Sequence, residues 1–346
     1  TLHAVPMNLW YAGILIALAL YLRGGEHGQT FSRRLMTQMP VILAYGINLG
    51  IVPLLFVQVA YAQPFYSATI LMAWHWLAIV ILLIPAYYGV YLYSFGLRAD
   101  GPGLTTFRRA AGWVAAVLLV GIGWLFVNGL SLMANPEAWP ELWKRTDFYG
   151  ATLGTGSNIA DATLWPRWLL MLGLAIGTTA AWLVFDAAWF AQKESDQYRS
   201  WAVTFSWKLY TVGMVWFAVA GTLYVVTGWH SFKQMFGFPT VLLTLLTALA
   251  PGLPWLLLFR QVRAGEFPTR GTAALIGAAQ LGVLGVNAVS RQVLQNIELK
   301  PYFDVLARET ATQYGPLAMF LIAFLLGAGV MTWMIWQIVR PSQPAA

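Results

Sequence analysis

The sequence predicts an all-α integral membrane protein, a bundle of about nine transmembrane helices. Of its 346 residues, 59% are apolar and only 10% are charged, and the mean hydropathy is +0.64. An ordinary soluble domain carries roughly 25% charged residues. The stretch from Val41 to Phe95 contains two apolar runs without any formally charged residue, joined by a polar turn at 62–67. Because a bilayer requires about 20 apolar residues per helix, this stretch is predicted to be a membrane-spanning hairpin.

Apolar stretches of the same kind recur along the whole chain. They are predicted as spans near residues 3–22, 39–61, 69–96, 110–133, 165–190, 204–227, 238–259, 272–290 and 316–339. Bundled spans share one core, so residues 1–346 are predicted to form a single transmembrane helical domain. Two long connections, 134–164 and 291–315, hold seven of the thirteen acidic residues and are candidate binding surfaces, with plain connectors as the alternative. Residues 292–308 are predicted to form a short helix on the membrane surface.

The distribution of basic residues predicts the orientation of the bundle. Twelve lie in the loops after spans one, three, five and seven and in the tail, where Arg340 is the last, and six lie in the opposite loops. By the positive-inside rule, the N-terminus is outside and the C-terminus is inside. The long connections are then on the outer side. The chain shows no cleavable signal peptide and begins at Thr1 rather than Met, so a few upstream residues are expected.

The absence of cysteine limits the cofactors that the protein can hold. With no Cys, the chain has no disulfides, no thiolate metal site, no iron–sulfur cluster and no covalently attached c-type haem. No metal site is predicted. The net charge of +7 is not a nucleic-acid signal, because the basic residues fall mostly in the loops of one side.

A few polar residues lie inside the predicted spans. Asn48 lies between Gly46 and Gly50, which share one helix face and would let another helix approach closely. Asp186 and Lys208 lie near the inner ends of spans five and six. They are predicted either to pair with each other or to reach the interface separately.

The histidines predict a site in the outer third of the membrane. His75, between Trp74 and Trp76, would lie about 9 Å below the outer surface if span three begins near Thr69. A buried imidazole usually faces protein, a cofactor or a water-filled pocket. The alternative is an interfacial aromatic belt with one hydrogen-bonded histidine.

Three further residues fall at the same depth. His3 begins span one, Arg167 opens span five, and His230 lies in the outer turn after span six, whereas His27 lies in an inner loop. We therefore predict His75 and Arg167 as catalytic residues. Trp74, His75, His3 and His230 are the predicted cofactor-binding residues.

Four short motifs give the chain a family resemblance. They are His3–Leu9 (HAVPMNL), Tyr45–Asn48 (YGIN), Val127–Leu130 (VNGL) with Asn135-Pro136, and Arg291-Gln292. With the nine spans, they resemble subunit I of the cytochrome bd quinol oxidases, and more closely its short, haem-poor relatives found with multihaem c-type cytochromes. The resemblance covers most of the chain. It implies an electron-transport subunit in the bacterial inner (cytoplasmic) membrane.

The sequence departs from this family at the positions that matter for oxygen reduction. His3 matches the haem-binding histidine of the first helix, but Leu170 stands at the matched histidine of the fifth helix. Ala288 stands where a carboxylate is expected, and only about ten residues, 228–237, replace the long quinol-binding loop. An oxygen-reducing oxidase is therefore not expected, since a haem without axial ligands is not held.

The leading hypothesis is a membrane subunit of a respiratory or related electron-transfer complex. It would contact lipid and other membrane subunits, anchor an extracytoplasmic c-type cytochrome and exchange electrons with quinone, as a candidate quinol:cytochrome c oxidoreductase subunit. No cofactor is certain; quinone is the first candidate and one b-type haem between His3 and His75 the second. In the quinone hypothesis, His75 hydrogen-bonds or deprotonates the quinol, and Arg167 stabilises its anion. The alternatives are a structural membrane scaffold without a redox site, and a transporter suggested by Asn48 and Asp186.

Overall fold

The computed structural model describes residues 1–98, 100–265, 267–309 and 311–339. Within them, nine apolar helices are long enough to cross a bilayer, as the sequence predicts. We number these spans one to nine: Ala4–Arg23, Gly25–Ala60, Ala73–Leu97, Thr106–Met133, Leu164–Trp189, Asp196–Thr227, Thr240–Ala264, Arg270–Leu299 and Tyr314–Met334. Span one contains a π-helical turn, Leu9–Gly13, and span seven consists of two helices, Thr240–Leu249 and Gly252–Ala264. Arg340 lies outside the described residues.

The chain forms two compact units, Thr1–Val305 and the part from Leu306 onward. Spans one to eight belong to the first unit. The second contains span nine, whose helix runs Tyr314–Val339, and its described side chains are exposed. The single domain predicted over 1–346 stays a prediction.

Glycines bring neighbouring spans into close contact. Gly46 lies against the ring of Trp10, and a Cβ built on Gly50 would be 2.7 Å from Cε1 of His3. Spans one and two therefore approach closely at these two positions, as the glycine spacing predicts. The side chain of Asn48, between these two glycines, is exposed and donates to the carbonyl of Ala44, in its own helix, at 2.9 Å.

A buried polar network joins four spans inside the first unit. Asn8 and Gln280 both donate to the hydroxyl of Thr178, at 2.8 and 3.0 Å, and Tyr210 donates to Gln280 at 2.7 Å. All four side chains are buried. Such hydrogen bonds between transmembrane helices hold spans one, five, six and eight in register.

Of the two alternatives for Asp186 and Lys208, the structure excludes the ion pair between them. Asp186 is buried and accepts two hydrogen bonds from Arg34, at 2.7 and 2.9 Å, while Lys208 is exposed. Arg34 also donates to Glu194 at 3.1 Å. Span two is longer than predicted and begins at Gly25, so it brings Arg34 beside span five. The planar guanidinium of Arg34 donates two hydrogen bonds to the buried carboxylate of Asp186, whereas the ammonium of the exposed Lys208 does not reach it.

Two predicted segments next to the spans differ from the structure. The turn predicted at 62–67 is a short helix, Ala62–Leu71, so span three begins at Ala73 and His75 lies only about 3 Å from its start rather than 9 Å. The surface helix predicted at 292–308 is wrong, because span eight continues to Leu299 and only Val305–Ala307 forms a further turn. In this extension of span eight, Gln292 donates to the hydroxyl of Tyr61, and Glu298 accepts from Arg167.

The long connection 134–164 is an ordered structure. It contains a turn at Pro136–Ala138, a helix at Trp139–Thr146 and a two-stranded hairpin in which Asp147–Phe148 pairs antiparallel with Ala151–Thr152. The connection 228–239 contains a helix at Trp229–Phe232 and a turn at Lys233–Phe236. Both connections lie at the same end of spans four to eight, which we call the loop-bearing end.

Candidate functional site

A polar cavity of about 260 Å³ lies at the loop-bearing end. The first turn of span five, the ends of spans six and eight and the connections beside them form its wall. Its lining includes Glu137, Asp161, Thr163, Arg167, His230, Glu298 and Tyr302. The structure therefore brings together two residues that the sequence singled out, Arg167 and His230.

An ion pair between spans five and eight forms part of this wall. Arg167, in the first turn of span five, donates from Nη2 to Oε1 of Glu298, in the last turn of span eight. The guanidinium also lies over the ring of Tyr224, 4.9 Å from its centroid. The two side chains are only 17% and 10% exposed, so the pair is largely shielded from water. Arg167 is thus held in place by a carboxylate and an aromatic face.

Three buried polar atoms around this pair have no hydrogen-bond partner among the described residues. They are Nε of Arg167, Oε2 of Glu298 and Oγ1 of Thr163. Buried polar atoms are nearly always hydrogen-bonded in native proteins, and exceptions call for a functional explanation. One free donor, one free acceptor and one hydroxyl therefore belong to residues that line one cavity, and such a set complements a small ligand with both hydroxyl and carbonyl groups.

The charge balance of the cavity favours proton binding over anion binding. Glu137, Asp161 and Glu298 supply three carboxylates, and Arg167 supplies one permanent positive charge. Glu137 accepts a hydrogen bond from Tyr302 at 2.6 Å, and this bond raises the pKa of the Tyr302 phenol above its usual value. Asp161 accepts from the backbone of Thr163 at 2.8 Å. Because Arg167 is already paired with Glu298, its charge is less available to an anion than the sequence suggested.

His75 and Trp74 lie against the segment 154–156. The backbone N–H of Trp74 donates to the carbonyl of Gly154 at 3.0 Å, and Nδ1 of His75 donates to that of Gly156 at 3.2 Å. A neutral His75 then carries its lone pair on Nε2, which can accept a proton. Five residues further on, Asp161 lines the cavity, so the segment 154–163 contacts both His75 and the cavity wall.

His3 lies at the contact of spans one and two. Its Nδ1 donates to the carbonyl of Gly46 at 2.8 Å, and its ring meets Trp10 edge-on. Burial lowers the pKa of the imidazole below its usual value, so His3 is neutral at pH 7 with its lone pair on Nε2.

A haem fits these residues poorly. His3 offers one nitrogen, but the matched position on the fifth helix is the buried, apolar Leu170, and Ala288 has no ligating atom. Among the described residues, no three His, Asp or Glu side chains come close enough together to hold a metal ion.

Comparison with known proteins finds no protein-family model that matches the chain and no similar curated protein.

Sequence reasoning missed Glu298 as a site residue. It counted Glu298 among the acids of a surface connection, whereas the helix of span eight continues through it. The available signal was the pair of opposite charges at two span ends on the same side, Arg167 at the start of span five and Glu298 near the end of span eight. Only the packing of the two helices identifies them as partners.

Proposed function

We propose that the chain is a membrane subunit of a respiratory or related electron-transfer complex that exchanges electrons with quinone and anchors a c-type cytochrome. The observation that carries this proposal is the polar cavity at the loop-bearing end, with a buried carboxylate oxygen and a guanidinium N–H that have no partner. By the positive-inside rule this end is extracytoplasmic, in a bacterial inner membrane. The family resemblance of the motifs supports the same assignment.

The cavity residues suit the proton chemistry of quinol oxidation. A quinol loses two protons and two electrons when it becomes a quinone. In the proposed reaction, Oε2 of Glu298 accepts the hydroxyl proton, and Nε–H of Arg167 donates a hydrogen bond to the same ring oxygen as it becomes a carbonyl. The electrons reduce two ferric haem irons of the partner cytochrome.

Proton release to the outside uses the remaining acidic groups of the cavity. After Glu298 takes the first proton, Asp161, Glu137 and His230 pass it to bulk water, which frees Glu298 for the second. The excess of carboxylates favours protons in the cavity over anions. This assigns Glu298 the base role that the sequence gave to His75, while His230 becomes part of the proton route.

The decisive experiment measures quinol-dependent reduction of the cytochrome in the purified native complex. Glu298→Gln keeps the size of the side chain and a hydrogen-bond acceptor but removes the base, so we expect a rate loss of about 10²–10⁴-fold, the usual contribution of a general base. Glu141→Gln, at an exposed acid of the connection 134–164, is the matched control and should keep the wild-type rate. The complex should still assemble in both variants.

His75→Ala separates the two candidate bases. If Glu298 is the base, this variant retains most of the quinol-dependent rate, and if His75 is the base, it loses the rate while Glu298→Gln retains it. If Glu298→Gln and His75→Ala both reduce the cytochrome at the wild-type rate, the chain has no quinol site of this kind, and the structural scaffold is favoured. The transporter alternative stays a prediction; of the two residues that suggested it, Asn48 is exposed and Asp186 is paired with Arg34.

A further inference from the structure

The hairpin Asp147–Thr152 presents an exposed aromatic tip. Its two-residue turn is Tyr149-Gly150, and both residues have positive φ, +52° and +84°, as in type I′ hairpin turns. Gly suits this conformation, but a bulky residue adopts it only at a cost in free energy. Tyr149 is nevertheless 95% exposed, and Phe148 beside it is also exposed, with the two rings in edge contact at 4.7 Å. A strained, fully exposed aromatic residue points to a binding role.

Hydrogen bonds fix the base of the hairpin. The backbone N–H of Leu153 donates to the carbonyl of Thr146 at 2.7 Å, and the hydroxyls of Thr146 and Thr152 are 2.8 Å apart. In the helix Trp139–Thr146, Leu142 and Thr146 face inward, whereas Trp143, Lys144 and Arg145 are exposed. The loop therefore exposes aromatic rings and two cations next to each other.

The base is also hydrogen-bonded to the beginning of a helix with an exposed apolar surface. Gly154 accepts the hydrogen bond from the N–H of Trp74, in the first turn of span three. Below Trp74, that span exposes an apolar row at helical spacing, made of Leu77, Ile81, Ile84 and Tyr88. Such a row on a transmembrane helix contacts lipid or another membrane helix, so the hairpin begins at the level of the membrane interface, directly beside this row.

The dimensions bring the tip within reach of the lipid headgroups. A strand rises about 3.3 Å per residue, so Tyr149 lies within about 10 Å of the hairpin base. The headgroup region adds about 5–7 Å on each side of the hydrocarbon core. Tyr and Trp rings next to Lys and Arg are the composition that membrane interfaces favour.

We infer that this hairpin is a lipid anchor: Phe148 and Tyr149 insert among the headgroups beside span three, and Lys144 and Arg145 bind their phosphates. The inference is independent of the quinol site. It leaves the rest of the connection 134–164 free for a protein partner. Its physical consequence is that the membrane restrains the segment 154–156, against which His75 lies.

The absence of native cysteine makes a direct test simple. Tyr149→Cys is labelled with an environment-sensitive fluorophore, and the isolated chain is placed in phosphatidylcholine–phosphatidylglycerol vesicles that contain nitroxide lipids. We expect blue-shifted emission and quenching by the nitroxides, with a label depth of about 5–10 Å. Val80→Cys, on the exposed face of span three, gives the deep reference, and Lys300→Cys, at an exposed position after span eight, gives the aqueous one.

Two outcomes would overturn the inference. In the first, the label at position 149 is quenched by aqueous iodide as strongly as the label at position 300, with no quenching by nitroxide lipids. In the second, the label is protected from iodide quenching only when the native complex keeps its other subunits, which would make the tip a protein-docking surface.

A charge reversal, Lys144→Glu with Arg145→Glu in the labelled chain, tests the role of the two cations. It should reduce the quenching by nitroxide lipids in phosphatidylglycerol-containing vesicles and leave that quenching unchanged in pure phosphatidylcholine.

Discussion

At the scale of single residues, Gly213 shows how little space separates spans five and six. A Cβ built on Gly213 would lie 2.8 Å from the backbone nitrogen of Gly177 and 3.0 Å from the carbonyl oxygen of Gly173. Both contacts are with backbone, which cannot rotate away as a side chain can. The close approach of the two spans therefore depends on this hydrogen-sized side chain.

We expect Gly213→Ala to destabilise the bundle by about 1–3 kcal/mol, since it forces two packed helices apart. The measurement is thermal unfolding in detergent, followed by circular dichroism. Gly282→Ala is the control, because nothing lies within 4 Å of a Cβ there and alanine favours helix. Unfolding temperatures that fall equally in both variants would contradict this account of the helix contact.

The free oxygen of Glu298 and the free Nε of Arg167 are the residue-scale basis of the proposed site. A buried ion pair contributes little net stability, because desolvation of both charges opposes their attraction. Its retention at the edge of a polar cavity is more readily explained by function than by stability. The rate of the Glu298→Gln variant tests that explanation.

At the scale of elements, the ion pair of Arg34 and Asp186 connects spans two and five near the end opposite to the cavity. Asp186 is only 3% exposed, whereas Glu194, the second partner of Arg34, is 35% exposed. The long helix of span two carries Arg34 to this position, 152 residues away from Asp186 in the chain. The contact thus depends on the length of a helix that extends past its apolar segment.

Removal of the carboxylate should be costly. Asp186→Asn leaves the guanidinium with one half-exposed partner, so we expect a loss of about 3 kcal/mol in the free energy of unfolding. Lys208→Gln changes the residue that the sequence suggested as a partner of Asp186, and it should alter the free energy of unfolding by less than about 0.5 kcal/mol. Chemical unfolding in mixed micelles measures both, and similar losses in the two variants would argue against the pairing seen here.

At the scale of the whole molecule, the connection pattern places the connections 134–164 and 228–239 at one end of the first unit. The cavity, the hairpin and the contacts of His75 all belong to this end. The distribution of basic residues predicts that it faces outward. The proposed electron and proton chemistry requires this orientation, since the cytochrome proposed as the partner would be extracytoplasmic.

Single cysteines in the intact cell test the orientation. We expect Lys300→Cys to react with a membrane-impermeant maleimide in intact cells, and Asp100→Cys, between spans three and four, to react only after permeabilisation. Both positions are exposed. The reverse labelling pattern would place the cavity on the cytoplasmic side and remove the basis for an extracytoplasmic partner.

The sequence by itself determined the number and approximate location of the spans. Hydrophobicity over about 20 residues is a local property, so the nine apolar helices could be read without any knowledge of packing. The close approach of another helix at Gly46 and Gly50 was equally predictable, because four-residue spacing places both glycines on one face, but only the structure identifies that helix as span one. Helix ends were less predictable, since hydropathy marks the lipid-embedded part and the helices of spans two, six and eight continue beyond it.

Only the tertiary structure decided which polar residues meet. Arg167 and Glu298 are 131 residues apart, and Arg34 and Asp186 are 152 apart, so no local pattern relates the members of either pair. Asn48 looked buried from its apolar neighbours, but which face of a transmembrane helix points inward depends on its packing partners. Hydrophobic burial depends on stretches of chain, so it can be predicted locally. An ion pair or a cavity requires particular atoms of distant segments to lie within a few ångströms of each other. That proximity arises only when the helices have packed.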